Sequence, residues 1–549
     1  MGTFLLLLTL SLLVLGLGQR ALSGSEDRWA EIARNMLMFS DWFHPVINGE
    51  IYFDKPLLSY WLIVAAAQLT GTLDEFSVRL PSAFSGLLTL FFSYKIAERL
   101  FDRRMAWLSV WLMITSHGFL FWTHTASAEI SNLASITAAV AWFVYRRERH
   151  DFLSYFIFYM LCAIGSQMKG LTAIVVPVLA IVPFLVRKER WKGHINFAHL
   201  VALLLGLGLF ALPYLGATLN SMPSGVVNQS NNLSGIDLLI RENVIRFFWP
   251  FDHMDPFYSY LYEVPRIVLP WSILLIVAVV YYLPRYRTLN ESQQWLLGTI
   301  GLIFLFFTIS GSRRWYYILP IMPFGMMLIA EYIGEVRDHR WQRPALRATK
   351  FLLIAATAAL ILVPLITQNY FKSAQQPSEF WVGSAVTLIG VAAIAFISKR
   401  NSSLLAALTR IDQAVAQTLN PAWLLIAALL MTVLFGFFMP GTDTYRQGKM
   451  FAISLVKQIN PGENVAFFKR SHSALVFYMN LPQAIPVIHR KSDTASMTDG
   501  LVLIVASNER ELMLVEFPEL GNAVPVLAVR QGTEKFFSDK SAFSAYRLK

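Results

Sequence analysis

Long apolar runs separated by short polar gaps occupy the first 440 residues of the chain. Crossing a hydrocarbon core of roughly 30 Å takes about 20 apolar residues in an α-helix, and most of the runs approach that length. The pattern predicts about 13 membrane-spanning helices, the first of them an uncleaved span rather than a signal peptide. The predicted spans are residues 3–19, 78–98, 105–123, 130–145, 152–168, 170–186, 197–219, 266–284, 294–310, 315–333, 349–368, 380–397 and 422–440.

Two stretches that follow the first span have a different pattern. Residues 25–40 place apolar side chains such as Trp29 and Met36 on one helical face and Arg28, Glu31 and Asn35 on the other. This amphipathic pattern predicts a helix on the membrane surface, with a solvated helix of a small external domain as the alternative. Residues 56–70 are apolar but reach only roughly 22 Å as a helix, so we expect a second interfacial or re-entrant helix.

The pattern changes again after Gly441, where short alternating segments replace the long apolar runs. Strands are predicted at 464–468, 484–488, 501–506 and 524–529, and helices at 471–480 and 508–516. The sequence therefore divides into a membrane domain, residues 1–440, and a soluble α/β domain, residues 441–549. No nucleotide-binding glycine motif or catalytic triad occurs in the second part, which favours a scaffolding or recognition role there.

Composition and charge place the chain among multi-pass membrane proteins. Of its 549 residues 55% are hydrophobic and 15% are charged, against roughly a quarter charged in soluble proteins. The net charge of +11 comes from Lys and Arg in alternate short gaps rather than on one stripe, which argues against a nucleic-acid partner. The basic gaps are predicted to be cytoplasmic, so the loops 19–77 and 220–265, the gap with Glu129 and the C-terminus are predicted to lie outside.

These external loops hold more charge than membrane insertion requires. Basic residues outside run against the insertion bias, and a bound anion such as a phosphate would account for them. The alternative is a set of salt bridges that brace the loops. The charged and histidine side chains concerned are Glu26, Asp27, Arg28, Glu31, Arg34, Asp41, His44, Glu50, Asp54 and Lys55 in the first loop, His124 and Glu129 in the second, and Asp252, His253 and Asp255 in the long loop.

A phosphate held beside carboxylates indicates group transfer from a lipid-linked phosphate. Such a reaction needs a carboxylate to take a proton from the acceptor hydroxyl and cations or a metal ion to stabilise the leaving phosphate. The sequence has no P-loop and no Rossmann fingerprint, so we expect no nucleotide cofactor.

Several stretches also resemble a known family. Residues 27–55 (DRWAEIARNMLMFSDWFHPVINGEIYFDK), which continue into 56–61, are similar to the first external loop of GT-C-fold, polyprenyl-phosphate-dependent glycosyltransferases. This group includes the aminoarabinose-to-lipid A transferases and the protein O-mannosyltransferases. The likeness extends to 76–104, 169–170, 242–258 and 310–323 (SGSRRWYYILPIMP). It implies 13 spans, two external juxtamembrane helices, a C-terminal α/β domain and a multi-pass location in a bacterial cytoplasmic membrane.

The resemblance also implies roles for individual residues. Lys55 and Arg28 match the cations that hold the lipid phosphate. Asp54 and His253 match positions associated with a divalent metal ion (Zn, Mg or Mn), although two ligands are too few to define a site.

The catalytic positions depart from the family pattern. Its first catalytic Asp falls on Ser25, so Glu26 or Asp27 takes over the role, or the acceptor or the activity is altered. Its acid in the second loop falls on Glu129, a longer carboxylate.

The leading hypothesis is an integral membrane glycosyltransferase that moves a sugar from a polyprenyl-phosphate donor to a lipid A-like glycolipid, a polysaccharide or a protein outside the cytoplasm. Two alternatives belong to other classes. A lipid or solute transporter would place ionisable residues at mid-membrane, whereas the predicted spans are nearly uncharged inside. A catalytically altered relative that acts as a scaffold or binding protein is favoured by Ser25.

Overall fold

The computed structural model describes residues 2–53, 55–219, 254–336, 339–370, 377–445, 448–496, 500–528 and 542–548, with the single positions 240, 245 and 248. Most of these residues are helical. The first ten helices are α1 (Gly2–Val14), α2 (Glu26–Phe39), α3 (Leu58–Thr70), α4 (Glu75–Leu100), α5 (Arg103–Ile114), α6 (His117–Thr123), α7 (Ala128–Arg146), α8 (Phe152–Lys169), α9 (Thr172–Val186) and α10 (Phe197–Leu219).

Nine further α-helices lie among the described residues between 254 and 440. They are α11 (Ser259–Ile267), α12 (Ser272–Tyr282), α13 (Glu291–Ile309), α14 (Met322–Glu335), α15 (Gln342–Tyr370), α16 (Ser378–Arg400), α17 (Ser402–Thr409), α18 (Gln413–Thr418) and α19 (Pro421–Val433). The last continues through a π-helical turn, Leu434–Phe438. Every predicted apolar run therefore coincides with one or two helices.

Six helices in the described part of the chain are long and apolar enough to cross a membrane. They are Glu75–Leu100, Phe197–Gly216, Glu291–Ile309, Gln342–Gln368, Ser378–Arg400 and Pro421–Gly441. A seventh is added if α5 and α6, which meet at a bend of 68°, form one crossing. α3, with 13 residues, is shorter, as predicted. The count of 13 spans stays a prediction.

Local sequence sets where α4 begins, and this start matters for the site. Asp74 accepts a hydrogen bond from the backbone N–H of Ser77, and the Ser77 hydroxyl accepts one from the N–H of Asp74. This reciprocal capping box satisfies two backbone donors that a helix start leaves free. The first turns of α4 then present Arg79 toward residues that follow α1, and Glu75 toward Tyr478 and Lys449.

A small apolar core joins the first loop to the rest of the molecule. It contains Trp29 of α2, Tyr60 of α3, Ala126, Met168 of α8 and Phe477 near the C-terminus. The rings of Trp29 and Tyr60 lie 5.0 Å apart. This core is separate from the main core, which lies among the long helices around Trp111, Trp271 and their neighbours.

The C-terminal unit, defined here as the described residues 448–548, contains a five-stranded sheet. Its helices are α20 (Gly448–Val456), α21 (Ser473–Met479) and α22 (Arg510–Glu516). A short hairpin near the start of the chain is formed by β1 (Val46–Ile47) and β2 (Glu50–Ile51), and the sheet by β3 (Asn464–Phe468), β4 (Val487–Ile488), β5 (Leu501–Ala506), β6 (Leu527–Ala528) and β7 (Phe543–Leu548).

The sheet has the order β4-β3-β5-β7-β6, with β3 parallel to β4 and β5 and with β7 antiparallel to β5 and β6. All six residues of β5 are buried, because apolar clusters cover both faces of this central strand. β3 and β5 have the predicted bounds. β7 and α20 were not predicted.

Helix α2 spans the predicted residues, but its polar face is not solvated. Glu31 is 0% and Asn35 7% exposed. The C-terminal unit covers this face: Arg34 of α2 pairs with Glu31 and also donates to the carbonyl oxygen of Leu481 at 3.1 Å. The predicted amphipathic helix is therefore an internal element, packed on both faces.

Candidate active site

Four segments that are distant in sequence converge beside the small core. The backbone N–H of Ala126 donates to Oε1 of Glu26 at 2.9 Å, which joins the start of α2 to the segment before α7. The hydroxyl of Ser59 in α3 donates to the carbonyl oxygen of Met168 at 3.3 Å. The residues that follow these contacts, Glu129 and Lys169, form an ion pair. The first two loops and the end of α8 thus form one site.

Glu26 lies at the buried end of this site and is held by two arginines. It is 0% exposed, its two oxygens accept from Nε and Nη2 of Arg79 at 2.7 and 2.8 Å, and Nη2 of Arg20 lies 3.5 Å away. Arg79 also donates to the carbonyl oxygens of Leu17 and Arg20. Burial raises the pKa of Glu26, but the charge and hydrogen bonds of Arg79 outweigh it, so the pKa is lower than usual.

Asp27, the next residue, faces a different partner. Its Oδ2 accepts a hydrogen bond from the hydroxyl of Ser473 at 3.0 Å, and its Oδ1 accepts from the backbone N–H of Arg28 at 2.8 Å. The side chain is 8% exposed. Burial raises the pKa of Asp27 above its ordinary value, although both hydrogen bonds act in the opposite direction.

The predicted phosphate-binding cations lie on the same loop. Arg28 donates to the hydroxyl of Tyr52, and its guanidinium carbon lies 5.4 Å from the centroid of that ring. Lys55 is half-buried and stands three residues before the start of α3. Since Ser59 in the first turn of α3 contacts Met168, the loop with Lys55 leads directly to the Glu129–Lys169 pair.

Aromatic side chains pack against the ammonium group of the Glu129–Lys169 ion pair. Nζ of Lys169 lies 4.7 Å from the ring centroid of Tyr317 and 5.5 Å from that of Tyr316. Tyr316 packs on Trp122, with ring centroids 4.9 Å apart. Cations over aromatic faces are stabilised by the negative ring surface. Glu129 and Lys169 are each nearly buried, so their ion pair is largely shielded from water.

The chain is similar to known membrane transferases. Residues 54–214 match the dolichyl-phosphate-mannose-protein mannosyltransferase family model. The undecaprenyl phosphate-alpha-4-amino-4-deoxy-L-arabinose arabinosyl transferase of Yersinia pestis is 26% identical over 76% of this chain and 72% of its own length. The transferase of the same name from Pseudomonas aeruginosa is 27% identical over 74% of this chain and 70% of its own length.

A solved structure decides the fold. The crystal structure of ArnT from Cupriavidus metallidurans bound to undecaprenyl phosphate matches 99% of this chain and 97% of its own, with a TM-score of 0.69 at 18% identity. The chain has the GT-C fold. The resemblance seen in the sequence to polyprenyl-phosphate-dependent GT-C glycosyltransferases is confirmed, and with its several apolar helices the chain is a multi-pass membrane protein.

The metal prediction concerns residues outside the described part of the chain. Asp54 and His253, its two predicted ligands, lie outside the described residues. Within the described ranges no group of three or more His, Cys, Asp or Glu side chains is placed to hold a metal ion. The metal ion therefore stays a prediction.

Four side chains of the GT-C site were not assigned a role from the sequence. Arg79 and Arg20 hold Glu26, Lys169 holds Glu129, and Ser473 holds Asp27. A charged residue inside the apolar stretch of α4 is the one local signal, because an arginine there needs a buried partner. Nothing local points to Ser473, which lies 446 residues from Asp27.

Proposed function

We propose that this chain is an integral membrane glycosyltransferase. It moves a sugar, a hexose or a pentose, from a polyprenyl-phosphate donor such as undecaprenyl phosphate to a lipid A-like glycolipid or another extracytoplasmic acceptor. The observation that carries the proposal is the convergence of Arg28, Asp27, Glu129 and Lys169 from loops and helix ends of a membrane protein. Relatives named as aminoarabinose transferases support the choice of donor and acceptor.

In the proposed reaction the acceptor hydroxyl oxygen forms a bond to the anomeric carbon, and the bond from that carbon to the phosphate oxygen breaks. Lys55 and Arg28 neutralise the lipid phosphate, which leaves with the electron pair of the broken bond. A carboxylate takes the proton of the acceptor hydroxyl. Arg28 suits phosphate binding because the planar guanidinium group can bond two phosphate oxygens.

The three candidate carboxylates differ in their environment, and this favours different roles. Glu26 has no solvent exposure and both its oxygens are occupied by Arg79, so we assign it to bracing the loop. Burial raises the pKa of Asp27, and its hydrogen-bond partner from the C-terminal unit, Ser473, is uncharged. Both features suit a proton acceptor. Glu129 is neutralised by Lys169 and stays the second candidate.

The finer architecture belongs to the same proposal. It comprises about 13 spans in residues 1–440, two external juxtamembrane helices and an extracytoplasmic domain at 441–549, with the site proposed to lie on the periplasmic side of the inner membrane. The alternation of basic gaps supports this orientation. A metal ion held by Asp54 and His253 stays a prediction.

A catalytically altered relative is the second candidate, because Ser25 replaces the family's aspartate. Ser25 precedes α2 and makes no side-chain capping hydrogen bond among the described residues. Turnover separates the candidates, since a scaffold transfers no sugar.

The test is sugar transfer by purified protein in vesicles, with undecaprenyl-phosphate-linked aminoarabinose as donor and lipid A as acceptor, followed by mass spectrometry. We expect Lys55→Ala to reduce kcat/KM for the donor by at least about tenfold, the effect of losing one charge-assisted hydrogen bond. Lys457→Ala, which removes an exposed lysine of the C-terminal unit, is the matched control and leaves transfer unchanged. Full activity of Lys55→Ala would contradict its assignment, and an inactive wild type with every polyprenyl donor would favour the scaffold.

A further inference from the structure

Helix α21 of the C-terminal unit reaches the first loop at its two ends. At its first residue, Ser473 donates to Oδ2 of Asp27 at 3.0 Å. Near its last residue, the hydroxyl of Tyr478 donates to Oε1 of Glu75 at 2.9 Å and accepts from the backbone N–H of Leu22 at 2.7 Å. Both ends of this helix are therefore docked on the first loop, and Ser473 is the residue of the helix that bonds Asp27.

A second contact fixes the same unit against the loop that leads to Lys55. The side-chain amide of Asn48 bonds both backbone groups of Ile485, donating to its carbonyl oxygen at 2.8 Å and accepting from its N–H at 2.7 Å. Asn48 and Gly49 form the turn of the β1–β2 hairpin, both with positive φ. The C-terminal unit is therefore held by specific polar contacts on both sides of Asp27.

We propose that Ser473 is a positioning residue for Asp27, so that the C-terminal unit fixes the orientation of the carboxylate that takes the acceptor's proton. This inference rests on the proposed function and refines it. It also explains how transfer can proceed with Ser25 at the family's catalytic position. Asp27, two residues further on, supplies the carboxylate and accepts a hydrogen bond from Ser473 of the C-terminal unit.

The geometry leaves Asp27 able to act as a base. Each carboxylate oxygen has two lone pairs, and each accepts one hydrogen bond here, Oδ1 from Arg28 and Oδ2 from Ser473. Two fixed donors hold the carboxylate in one rotamer, while one lone pair on each oxygen remains for the acceptor hydroxyl. A flexible carboxylate would lose this alignment, and alignment is a large part of catalytic efficiency.

The charges around Asp27 set the direction of the expected pH effect. On its own helix, Arg28 lowers the pKa of Asp27 and Glu26 raises it, and from α21 the uncharged Ser473 lowers it through its hydrogen bond. His472 precedes Ser473 in the chain and has a pKa lowered to about 4 by burial. Loss of the Ser473 hydroxyl therefore raises the pKa of Asp27, and a base with a raised pKa is active only at higher pH.

The experiment measures kcat and KM for sugar transfer across pH in Ser473→Ala, Ser473→Thr and Ser471→Ala. Ser471 is exposed and two residues away, so its variant is the matched control. We expect Ser473→Ala to lower kcat by about tenfold, the effect of one hydrogen bond to a charged group, with a smaller change in the KM for the donor. We also expect the acidic limb of its pH–rate profile, where kcat falls as Asp27 is protonated, to move to higher pH. Ser473→Thr restores both, and Ser471→Ala matches the wild type.

Tyr478→Phe separates positioning from simple docking. It removes the hydrogen bonds of the Tyr478 hydroxyl to Glu75 and Leu22 without touching Asp27. We therefore expect it to lower the unfolding temperature and to leave the acidic side of the pH profile unchanged. If Ser473→Ala folds poorly, the threonine variant and Tyr478→Phe still decide the point, because a limb that moves in Tyr478→Phe or shifts in Ser473→Thr overturns the inference. A pH profile of Ser473→Ala that superimposes on an active wild type overturns it too, whereas an inactive wild type refutes the proposed function instead.

Discussion

The ammonium group of Lys169, the last residue of α8, forms an ion pair with Oε2 of Glu129 in the first turn of α7. Their side chains are only 10% and 8% exposed. Glu129 therefore stands at a helix N-terminus and Lys169 at a helix C-terminus, where the helix dipoles favour each charge. The pair joins the start of α7 to the end of α8.

Breaking this pair is expected to destabilise the protein more than removing it. Glu129→Gln leaves Lys169 charged and nearly buried, at a cost of about 3–5 kcal/mol in the free energy of unfolding. The double variant Glu129→Gln with Lys169→Gln loses less, because no nearly buried ammonium group has lost its carboxylate. Unfolding of the two singles and the double in detergent, followed by tryptophan fluorescence, measures the coupling. Additive losses in the double variant would show that the two groups do not interact.

The buried carboxylate of Glu26 is expected to make stability depend on acid pH. Its pKa in the folded protein is below the ordinary value of 4.5 because Arg79 favours the charged form over the opposing effect of burial. The contribution to stability is therefore complete above pH 4.5 and is lost as the pH falls through the lower folded pKa. Unfolding midpoints measured from pH 7 to pH 3 should fall more steeply in the wild type than in Glu26→Gln.

Glu26→Gln should also be less stable than the wild type at neutral pH, by about 3–5 kcal/mol, because Arg79 stays charged and buried. Glu98→Gln is the control. The partners of Glu98 include the exposed Arg103, and exposed pairs contribute less than about 1 kcal/mol. Equal acid profiles for Glu26→Gln and the wild type would contradict the role given to Arg79.

The elements that the sequence predicted well are those whose signal is local. Apolar runs identify the long helices between residues 58 and 440, because burial in lipid or in a helical core selects the same side chains along the whole element. The short helices α17 and α18 lie in the gap between the predicted runs 380–397 and 422–440 and were not predicted. The shortness of α3 was visible for the same reason. β3 and β5 were found because their apolar residues are continuous, whereas β7 pairs with β5 and β6 and has fewer apolar residues of its own.

The candidate site was predictable only in part. Residue type and resemblance identified Arg28, Asp27 and Glu129, and the structure brings their segments together. The polar face of α2 looked solvated because the residues that cover it lie about 440 positions further on. A single sequence contains no information on such distances, and hence neither Arg79 nor Ser473 could be assigned to its carboxylate.

The buried carboxylate of Asp27 is expected to lower the stability of the folded protein at neutral pH, although the proposed reaction needs it. Burial raises its pKa, so the charged form costs folding free energy at pH values above the folded pKa, and stability falls as the pH rises through it. Asp27→Asn keeps the shape and can still bond Ser473 and the N–H of Arg28. We expect it to be at least as stable as the wild type at neutral pH, with sugar transfer reduced by roughly 10²- to 10⁴-fold, the usual contribution of a general base.

Thermal unfolding and transfer rates of Asp27→Asn are compared with those of Glu129→Gln. Loss of transfer in Asp27→Asn without loss of stability identifies Asp27 as the base. Wild-type transfer by Asp27→Asn would move that role to Glu129.

Gly49 tests whether the C-terminal unit must dock on the first loop for activity. Its φ is +81°, and a Cβ added there would lie 2.9 Å from Cβ of Ala484, closer than carbon atoms approach. Gly71 has φ +80° with nothing within 4 Å of such a Cβ, so Gly71→Ala carries the same backbone strain without the clash. In both variants the left-handed backbone conformation lowers the free energy of unfolding by about 1 kcal/mol or more, because alanine has a Cβ.

We expect Gly49→Ala alone to loosen the contact between Asn48 and Ile485, to lower sugar transfer and to speed protease release of the C-terminal unit. Adding Ala484→Gly removes the opposing methyl group and should restore both properties toward those of Gly71→Ala, because only the strain then remains. Limited proteolysis and transfer assays of the four proteins measure this. If Gly49→Ala and Gly71→Ala behave alike, the docking of residues 484–485 on the hairpin has no part in placing the loop that carries Lys55.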